Sequence, residues 1–342
     1  MTSPGHLHPS YDVSPRPLMV VEVRDLTPEV RHVVLVDPHG TALTPHEPGA
    51  HLVVTTTPSG PDSGVTKRNA YSLTGDGVLP RQYAISVLRK DAPTGFGDES
   101  GGSVWMHGLE VGDVIEVEGP RSSFAPRPDQ RHCPPPAGGA GVAPVLSHAR
   151  AAVRWGGSVE VLYSYRPGHA AHLDDLHALA EAPGISLRVA VTVDETLALL
   201  RDRLADQPLG THAYACGPPA LLAAYLEAGR AAGWTDERLH LERFSAPALD
   251  PGSPFSALVV SSGRRVDVAP GTSLLVALHE AGVAVPSLCR QGVCGECVVP
   301  VRSGRLEHRD LVLSDVERRA GDRMLSCVSR GAGPDELIEV DL

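Results

Sequence analysis

The stretch SLCRQGVCGEC, from Ser287 to Cys297, holds three of the six cysteines of this 342-residue chain. A fourth, Cys327, follows in the stretch MLSCVSR. The N-terminus has no basic segment followed by an apolar core, so we see no secretion signal and expect a cytoplasmic protein. In that compartment disulfides are rare, and clustered cysteines more often bind metal or carry out redox chemistry.

The spacing of these cysteines indicates which kind of group they bind. The pattern is C-x4-C-x2-C with a distant fourth cysteine, formed by Cys289, Cys294, Cys297 and Cys327. This spacing is typical of plant-type [2Fe–2S] clusters, in which each of two irons takes two thiolates. A zinc ribbon would need two paired knuckles, and a dithiol redox site would follow a strand in a βαβ unit. The four cysteines are therefore predicted to hold a [2Fe–2S] cluster.

Bulk composition excludes some function classes. The formal net charge of −11 argues against nucleic acid as the main partner. No run of about 18 apolar residues occurs, so we expect no membrane-spanning segment.

The sequence pattern divides the chain into three predicted domains and a linker. Short β-branched runs bounded by turn residues predict a barrel over residues 15–126. Buried-type strands alternating with Ala- and Leu-rich helical stretches predict a parallel α/β domain over 127–246. Residues 247–254 are predicted to be a linker, and residues 255–342 form a third unit that contains the cysteines.

The third unit, with its ending HRDLVLSDVERRAGDRMLSCVSR, closely resembles the ferredoxin module of the phthalate dioxygenase reductase and vanillate demethylase reductase family. The resemblance covers nearly the whole chain. It implies a multidomain fold: an antiparallel β-barrel that binds flavin, a parallel α/β domain that binds nicotinamide, and a β-grasp ferredoxin domain.

Two stretches resemble the flavin site of that family. In KRNAYSLTGD, the resemblance implies that Tyr71 stacks on the flavin, Ser72 lies at its reactive edge and Leu73 provides backbone contacts. Arg68 is the expected phosphate ligand, although it stands three residues before the tyrosine and Asn69 occupies the usual place. A one-residue shift on a strand moves a side chain to the other face, so a bulge would be needed.

The stretch GGSVWMHGL places small residues before a short helix, where free N–H groups can face an anion. The resemblance implies that Gly101, Gly102 and Ser103 bind the flavin phosphate. The resemblance also implies FMN, which that family binds, rather than FAD, and we see no clear adenosine-binding extension.

Four stretches resemble the nicotinamide site: AGGAGVAPVLSHAR, YSYRP, YACGPPALL and LERFSAP. The resemblance implies cofactor contacts from Gly138, Gly139, Gly141, Pro144, Arg166, Cys216, Gly217 and Pro218. It also places Cys216 near the nicotinamide ring and Phe244 over the flavin face, with Glu242 lining the same site. NADH is expected, with NADPH as the alternative because Arg166 could bind a 2′-phosphate.

The stretch DQRHCPPPAGG fits this pattern badly. The first strand of the domain should enter the glycine turn here, but Pro134, Pro135 and Pro136 cannot donate to a central ladder. The strand is expected to be lost or altered.

The histidine pairs are interpreted as surface residues. The close pairs are His6 with His8 and His169 with His172, and neither has a carboxylate or a third histidine at metal-ligand spacing.

Together the modules predict a two-to-one electron converter, because nicotinamide gives up two electrons, a cluster accepts one at a time, and flavin does both. The resemblance implies a reductase component that serves a separate Rieske-type oxygenase or demethylase, and we expect this reductase to be a monomer. Two alternatives stay open. One is a reductase for a cytochrome P450 or for small acceptors. The other is an electron carrier with impaired nicotinamide binding, suggested by the prolines.

Overall fold

The computed structural model describes residues 14–57, 67–90, 101–122, 124–127, 136–138, 141–206, 210–244 and 249–342. The chain forms two compact units, Met1–Glu242 and Arg243–Leu342. Over the described ranges, no helix combines the length and the apolar character needed to cross a bilayer.

The first half of unit 1 is an antiparallel sheet that closes on itself. Its strands are β1 (Arg16–Thr27), β2 (Val30–Val36), β3 (His51–Thr56), β4 (Lys67–Ser72), β5 (Tyr83–Leu88) and β6 (Val114–Arg121). They are ordered β4-β3-β6-β1-β2-β5, and an antiparallel bridge between Leu73 and Ile85 joins the two ends. Alternating buried residues of these β-branched runs fill the interior. Helix α1 (Gly101–His107) follows β5 and includes the Gly-Gly-Ser stretch in its first turn.

The second half of unit 1 is a parallel sheet flanked by helices. Its elements are β7 (Pro136–Gly138), α2 (Val142–Trp155), β8 (Val159–Ser164), α3 (Leu173–Ala180), β9 (Ile185–Ala190), α4 (Val193–Ala205), β10 (Ala213–Cys216), α5 (Pro219–Ala231) and β11 (Leu239–Glu242). The strands are ordered β11-β10-β7-β8-β9, all parallel.

The first strand of this domain is present. Residues Pro136–Gly138 form the central strand β7, paired with β8 on one side and with β10 on the other. Pro136 is the first described residue of this strand, and a proline is tolerated at the start of a strand. The strand is therefore not lost. Pro134 and Pro135 lie outside the described residues.

Unit 2 is a mixed sheet with one main helix. Its elements are β12 (Phe255–Val259), β13 (Arg264–Val268), α6 (Leu274–Glu280), β14 (Val298–Ser303), β15 (Leu306–Glu307), α7 (Asp315–Ala320), β16 (Arg323–Leu325), β17 (Arg330–Gly331) and β18 (Glu336–Val340). The main sheet is ordered β13-β12-β18-β14-β16, and β15 pairs with β17. Strands β12 and β18 are parallel. Helix α6 begins after Ser273, whose hydroxyl accepts from the amide of Val276. These three sheets agree with the predicted fold class.

The segment predicted as a linker is attached to unit 2 where it is described. The guanidinium of Arg330 donates to the carbonyl of Ser253 at 2.9 Å and also to carbonyls of Ala269 and Thr272. Arg309 donates to the carbonyl of Asp250 at 3.0 Å. These hydrogen bonds, three of them partly buried, hold residues 249–254 against the sheet that follows them.

Candidate redox site

The four thiols of unit 2 come together as two pairs. The Cys294 thiol donates to the Cys289 sulfur, which lowers the pKa of Cys289 to about 6. The Cys327 thiol donates to the Cys297 sulfur and lowers the pKa of Cys297. Within the described ranges, no three His, Cys, Asp or Glu side chains converge on one point to hold a single ion. Two pairs of thiols are the donor set that two irons need, two thiolates to each iron.

The loop around the thiols fits a sulfur-rich group. Backbone amides of Gln291, Val293 and Cys294 point at the Cys289 sulfur, and the amide of Gly292 points at Cys327. Gly292 has φ +70°, and a Cβ there would lie 2.6 Å from Val328 and 3.2 Å from the Cα of Asp310. Only glycine combines this conformation with so close an approach. The residues present therefore fit the predicted cluster.

The buried carboxylate of Asp310 stabilises the backbone next to the cysteine loop. Asp310 is 2% exposed and accepts from the amides of Leu313 at 2.7 Å and Val312 at 3.1 Å. The amide of Leu311, the residue directly after Asp310, donates to the carbonyl of Gly292 at 2.9 Å. Arg318 lies 3.7 Å from the Asp310 carboxylate and compensates its charge. We did not single out Asp310 from the sequence, because its acceptor role depends on the fold of the loop.

Strand β4 presents a buried hydroxyl that has no partner in the described part of the protein. Tyr71 and Ser72 end this strand. The Tyr71 hydroxyl oxygen is buried with no hydrogen bond there, whereas the Ser72 hydroxyl faces the Glu242 carboxyl. Burial raises the pKa of Tyr71 above its ordinary value. Leu73 packs in the barrel core, and its amide donates to the carbonyl of Ala50. Buried orphan hydroxyls are normally satisfied by a ligand or water, so this strand fits a bound flavin.

The expected phosphate ligand Arg68 lies on the other face of this strand. The pairing of β3 with β4 runs without a register shift, so Asn69 shares the face of Tyr71 and Arg68 does not. Arg68 pairs with Glu118 at 2.6 Å. A Cβ added to Gly102 would lie 2.2 Å from the Asn69 side-chain oxygen. Asn69, rather than Arg68, therefore reaches the predicted phosphate-binding helix.

The other predicted residues of that helix are placed as follows. Gly101 begins α1. The Ser103 hydroxyl accepts from the amide of Lys90 at 3.0 Å, which ties the helix to the end of the preceding strand.

The predicted nicotinamide residues meet at the carboxyl ends of three strands. Cys216 ends β10 beside Glu242 of β11 and Ala137 of β7. Gly141 lies against it, since a Cβ there would be 2.2 Å from the Cys216 carbonyl oxygen. Pro218 caps helix α5, and Pro144 lies in the first turn of α2. The carboxyl ends of parallel strands are where cofactors bind in such sheets.

The flavin strand and these residues share one site. The Cys216 thiol donates to the Glu242 carboxyl with Sγ 3.6 Å from Oε2, and the Ser72 hydroxyl also faces that carboxyl. Burial raises the pKa of Glu242 to about 8 and that of Cys216 well above its ordinary value. Ser72 of the barrel and Cys216 of the parallel sheet thus face the same buried carboxyl, so the residues predicted to contact flavin and those predicted to contact nicotinamide adjoin one another.

Five other residues of the predicted nicotinamide and flavin site are placed as follows. Arg166 is 75% exposed at its side chain and pairs with Glu29 at 3.4 Å. Phe244 is 37% exposed and belongs to unit 2. Gly138 is in strand β7, Gly217 approaches Gly141, and Gly139 lies outside the described residues.

One histidine interpretation is wrong. His172 is not a surface residue, because its side chain is 1% exposed and makes hydrogen bonds through both ring nitrogens. Its partners Ser86 and Asp175 come from different elements, and only the second is near it in sequence. His6 and His8 lie outside the described residues.

Taken together, the two sites define a class of protein: a redox chain with a flavin-type barrel, a nucleotide-binding sheet and a cluster-binding module. Comparison with known proteins gives the family. Residues 258–331 match the profile described as a 2Fe-2S iron-sulfur cluster binding domain. Residues 116–239 match the profile of the dimethylamine monooxygenase subunit DmmA-like N-terminal domain.

Relatives match over nearly the full length. The chain is 37% identical, over 94% of its own length and 97% of the relative, to the heme-dependent oxidative N-demethylase beta subunit of Ectopseudomonas mendocina (strain ymp). The structure of phthalate dioxygenase reductase matches with a TM-score of 0.71 and 28% identity, over 96% of this chain and 98% of the other. An intact type IV self-sufficient cytochrome P450 monooxygenase matches with a TM-score of 0.75 and 32% identity, over 96% of this chain and 41% of that longer one.

The chain belongs to the phthalate dioxygenase reductase-like family, the flavin- and nicotinamide-dependent reductases with a C-terminal plant-type [2Fe–2S] ferredoxin domain. This confirms the expected class of activity, an NAD(P)H-dependent flavin and iron–sulfur oxidoreductase that serves as the reductase component of an oxygenase system.

Proposed function

We propose that this chain takes electrons from NADH at the site of Cys216 and Glu242, passes them through FMN held by Tyr71, Ser72 and Leu73, and releases them singly from a cluster on the four cysteines. When bound, the nicotinamide supplies a hydride, the flavin takes two electrons and releases one at a time, and the cluster carries single electrons. The observation that carries the proposal is the convergence of Ser72, Cys216 and Glu242.

The choice of cofactors rests on separate observations. FMN is proposed because the sequence contains no adenosine-binding extension. For its phosphate we propose Asn69 and the first turn of α1, since Arg68 is engaged with Glu118. NADH is proposed over NADPH because Arg166 already pairs with Glu29, so a 2′-phosphate would have to compete with that carboxylate.

For the partner we propose a Rieske-type oxygenase or demethylase that accepts electrons from the cluster of a monomeric reductase. A haem-dependent N-demethylase is a second candidate. It is favoured by the full-length similarity to the heme-dependent oxidative N-demethylase beta subunit and by the DmmA-like match over residues 116–239. The carrier without nicotinamide binding loses support, because β7 keeps its central place despite Pro136.

The test is anaerobic reduction of the purified protein. We expect the visible spectrum to contain flavin and cluster bands and to bleach on addition of NADH. A matched variant, Cys294→Ser, should keep the flavin bands and their bleaching but lose the cluster bands. Wild-type protein whose flavin NADH does not bleach would overturn the proposed function. Reconstitution with a Rieske and with a haem terminal component, each with its substrate, would then distinguish the two partners.

A further inference from the structure

The buried histidine His172 joins the two halves of unit 1. It precedes helix α3 with φ 60°, a left-handed conformation that costs energy in residues other than glycine. Its Nε2 lies 2.7 Å from the hydroxyl of Ser86 on barrel strand β5, and its Nδ1 lies 2.7 Å from the Asp175 carboxylate. On the other side of Ser86, the Nδ1 of His32 lies 3.0 Å from the same hydroxyl.

These bonds form part of a closed circuit. Arg150 of helix α2 donates to Asp175 at 3.0 Å and to the carbonyl of Thr74 at 2.8 Å. The amide of Thr74 in turn donates to Ala84, two residues before Ser86 on the same strand. We call Ser86, His172, Asp175, Arg150 and Thr74 the interface circuit. The circuit starts at Ser86 of β5 and returns to the same strand at Ala84, two residues earlier.

The order Ser86, His172, Asp175 is that of a hydrolytic triad, but its hydroxyl is not available for attack. The rings of His32 and His172 meet edge to face, with centroids 5.3 Å apart and the Ser86 oxygen bonded to both. Its donor and an acceptor site are thereby both used within the protein. When His32 donates to Ser86, Ser86 donates to His172 and His172 donates to Asp175, the Ser86 hydroxyl and both ring nitrogens of His172 have partners. The circuit is thus suited to holding surfaces together.

The interface circuit joins the strand proposed to hold the flavin to the helix proposed to bind the nicotinamide. Thr74 follows Ser72 of strand β4 by two residues, and helix α2 begins directly after Gly141 of the glycine-rich turn. A second contact runs parallel to the first, because Ser147 of α2 accepts from the amide of Gly49 at 3.1 Å and donates to the carbonyl of Gly75.

We propose that Ser86, His172, Asp175 and Arg150 are positioning residues, which fix the nicotinamide-binding helix against the flavin strand and so set the geometry of hydride transfer. This inference rests on the proposed function. The transfer moves one hydride, two electrons with one proton, from C4 of NADH to N5 of the flavin and leaves NAD⁺ and reduced flavin. A displacement of about 1 Å between such partners can cost about 100-fold in rate.

The test compares Ser86→Ala and Asp175→Asn with the control His169→Gln, which alters a half-buried contact between the same two halves, the pairing of His169 with Glu29 at 3.3 Å. Hydrogen–deuterium exchange of the protein without nicotinamide should rise at residues 73–76 and 142–155 in the first two variants only. In anaerobic stopped flow, their limiting rate of flavin reduction should fall about 10-fold, with a larger primary isotope effect from C4-deuterated NADH and little change in NADH affinity.

The double variant should lose no more rate than either single variant, since both break one unit. Faster exchange with unchanged reduction rate and isotope effect would overturn the positioning role and leave a structural one. Unchanged exchange would overturn the circuit itself. If wild-type flavin is not reduced by NADH, the proposed function fails, and the exchange measurement still tests the circuit.

Discussion

The thiol of Cys216 lies 3.6 Å from the Oε2 of Glu242, and the two residues are direct neighbours on parallel strands. Burial raises the pKa of both groups, so at neutral pH each keeps its proton. A protonated carboxyl can donate a hydrogen bond without introducing a negative charge beside the flavin that we propose for this site. The thiol and the carboxyl are thus both uncharged at neutral pH, and the Glu242 carboxyl holds a proton.

Replacing Glu242 should change how stability depends on pH. Its folded pKa of about 8 lies above the ordinary 4.5, so between these values the folded chain binds more protons than the unfolded chain. Its contribution to stability is complete below about 4.5 and is lost as the pH rises through 8. We expect Glu242→Gln to flatten the fall in urea midpoint between pH 6 and 8.5.

The exposed Glu110→Gln provides the control and should leave the wild-type slope unchanged. If Glu242→Gln showed the same slope as wild type, the carboxyl would be ionised in the folded state and the argument for a protonated pair would fail.

Flavin retention should depend on Asn69 more than on Arg68. Asn69 faces Gly102 on the side of Tyr71, whereas Arg68 pairs with Glu118 on the other face. We expect Asn69→Ala to weaken FMN binding about tenfold, which corresponds to about 1.4 kcal/mol and to one hydrogen bond to a charged group. Arg68→Ala should leave the affinity nearly unchanged, because Glu118 keeps Arg121 at 3.1 Å. Fluorescence titration of apoprotein measures both, and the reverse order would return the phosphate to Arg68.

The sequence was informative where function depends on local spacing. The four cysteines are read from C-x4-C-x2-C, and Ser72 and Cys216 from short motifs, because a loop or strand end carries its own geometry. Strand register is not local in this sense: only the unbroken pairing of β3 with β4 decides which of Arg68 and Asn69 shares the face of Tyr71.

The interface circuit was beyond the reach of sequence patterns. Ser86 and His172 are 86 residues apart and lie in different halves of unit 1. Their contact depends on how a barrel and a parallel sheet pack, so the HAAH stretch taken by itself indicates only solvated surface histidines. The strand at Pro136 is a related case, since tertiary pairing on both sides overrides an unfavourable local sequence.

Mild acid should destabilise unit 1. Burial lowers the pKa of His32, His51 and His148 to about 4, below the ordinary 6.5. Between these values the unfolded chain binds more protons, so stability present above 6.5 is lost as the pH falls toward 4. Thermal unfolding of flavin-loaded protein should show a lower midpoint at pH 5 than at pH 7. His148→Gln should shrink that difference, and an equal difference in both proteins would contradict the assignment.

Removing the Asp310 carboxylate should release the cluster without affecting the flavin. Asp310→Ala leaves the amides of Val312 and Leu313 without their acceptor, at a cost of about 1–3 kcal/mol for buried groups. The loop that carries Gly292 then loses its support, and we expect less iron and labile sulfide per chain after gel filtration, with unchanged flavin content. Asp310→Asn keeps one acceptor oxygen and should retain an intermediate amount. Asp341→Asn, which alters a surface pair with Arg302 at 3.2 Å, is the matched control and should retain iron as wild type does. Full iron content in Asp310→Ala would show that the cysteine loop holds its shape without this carboxylate.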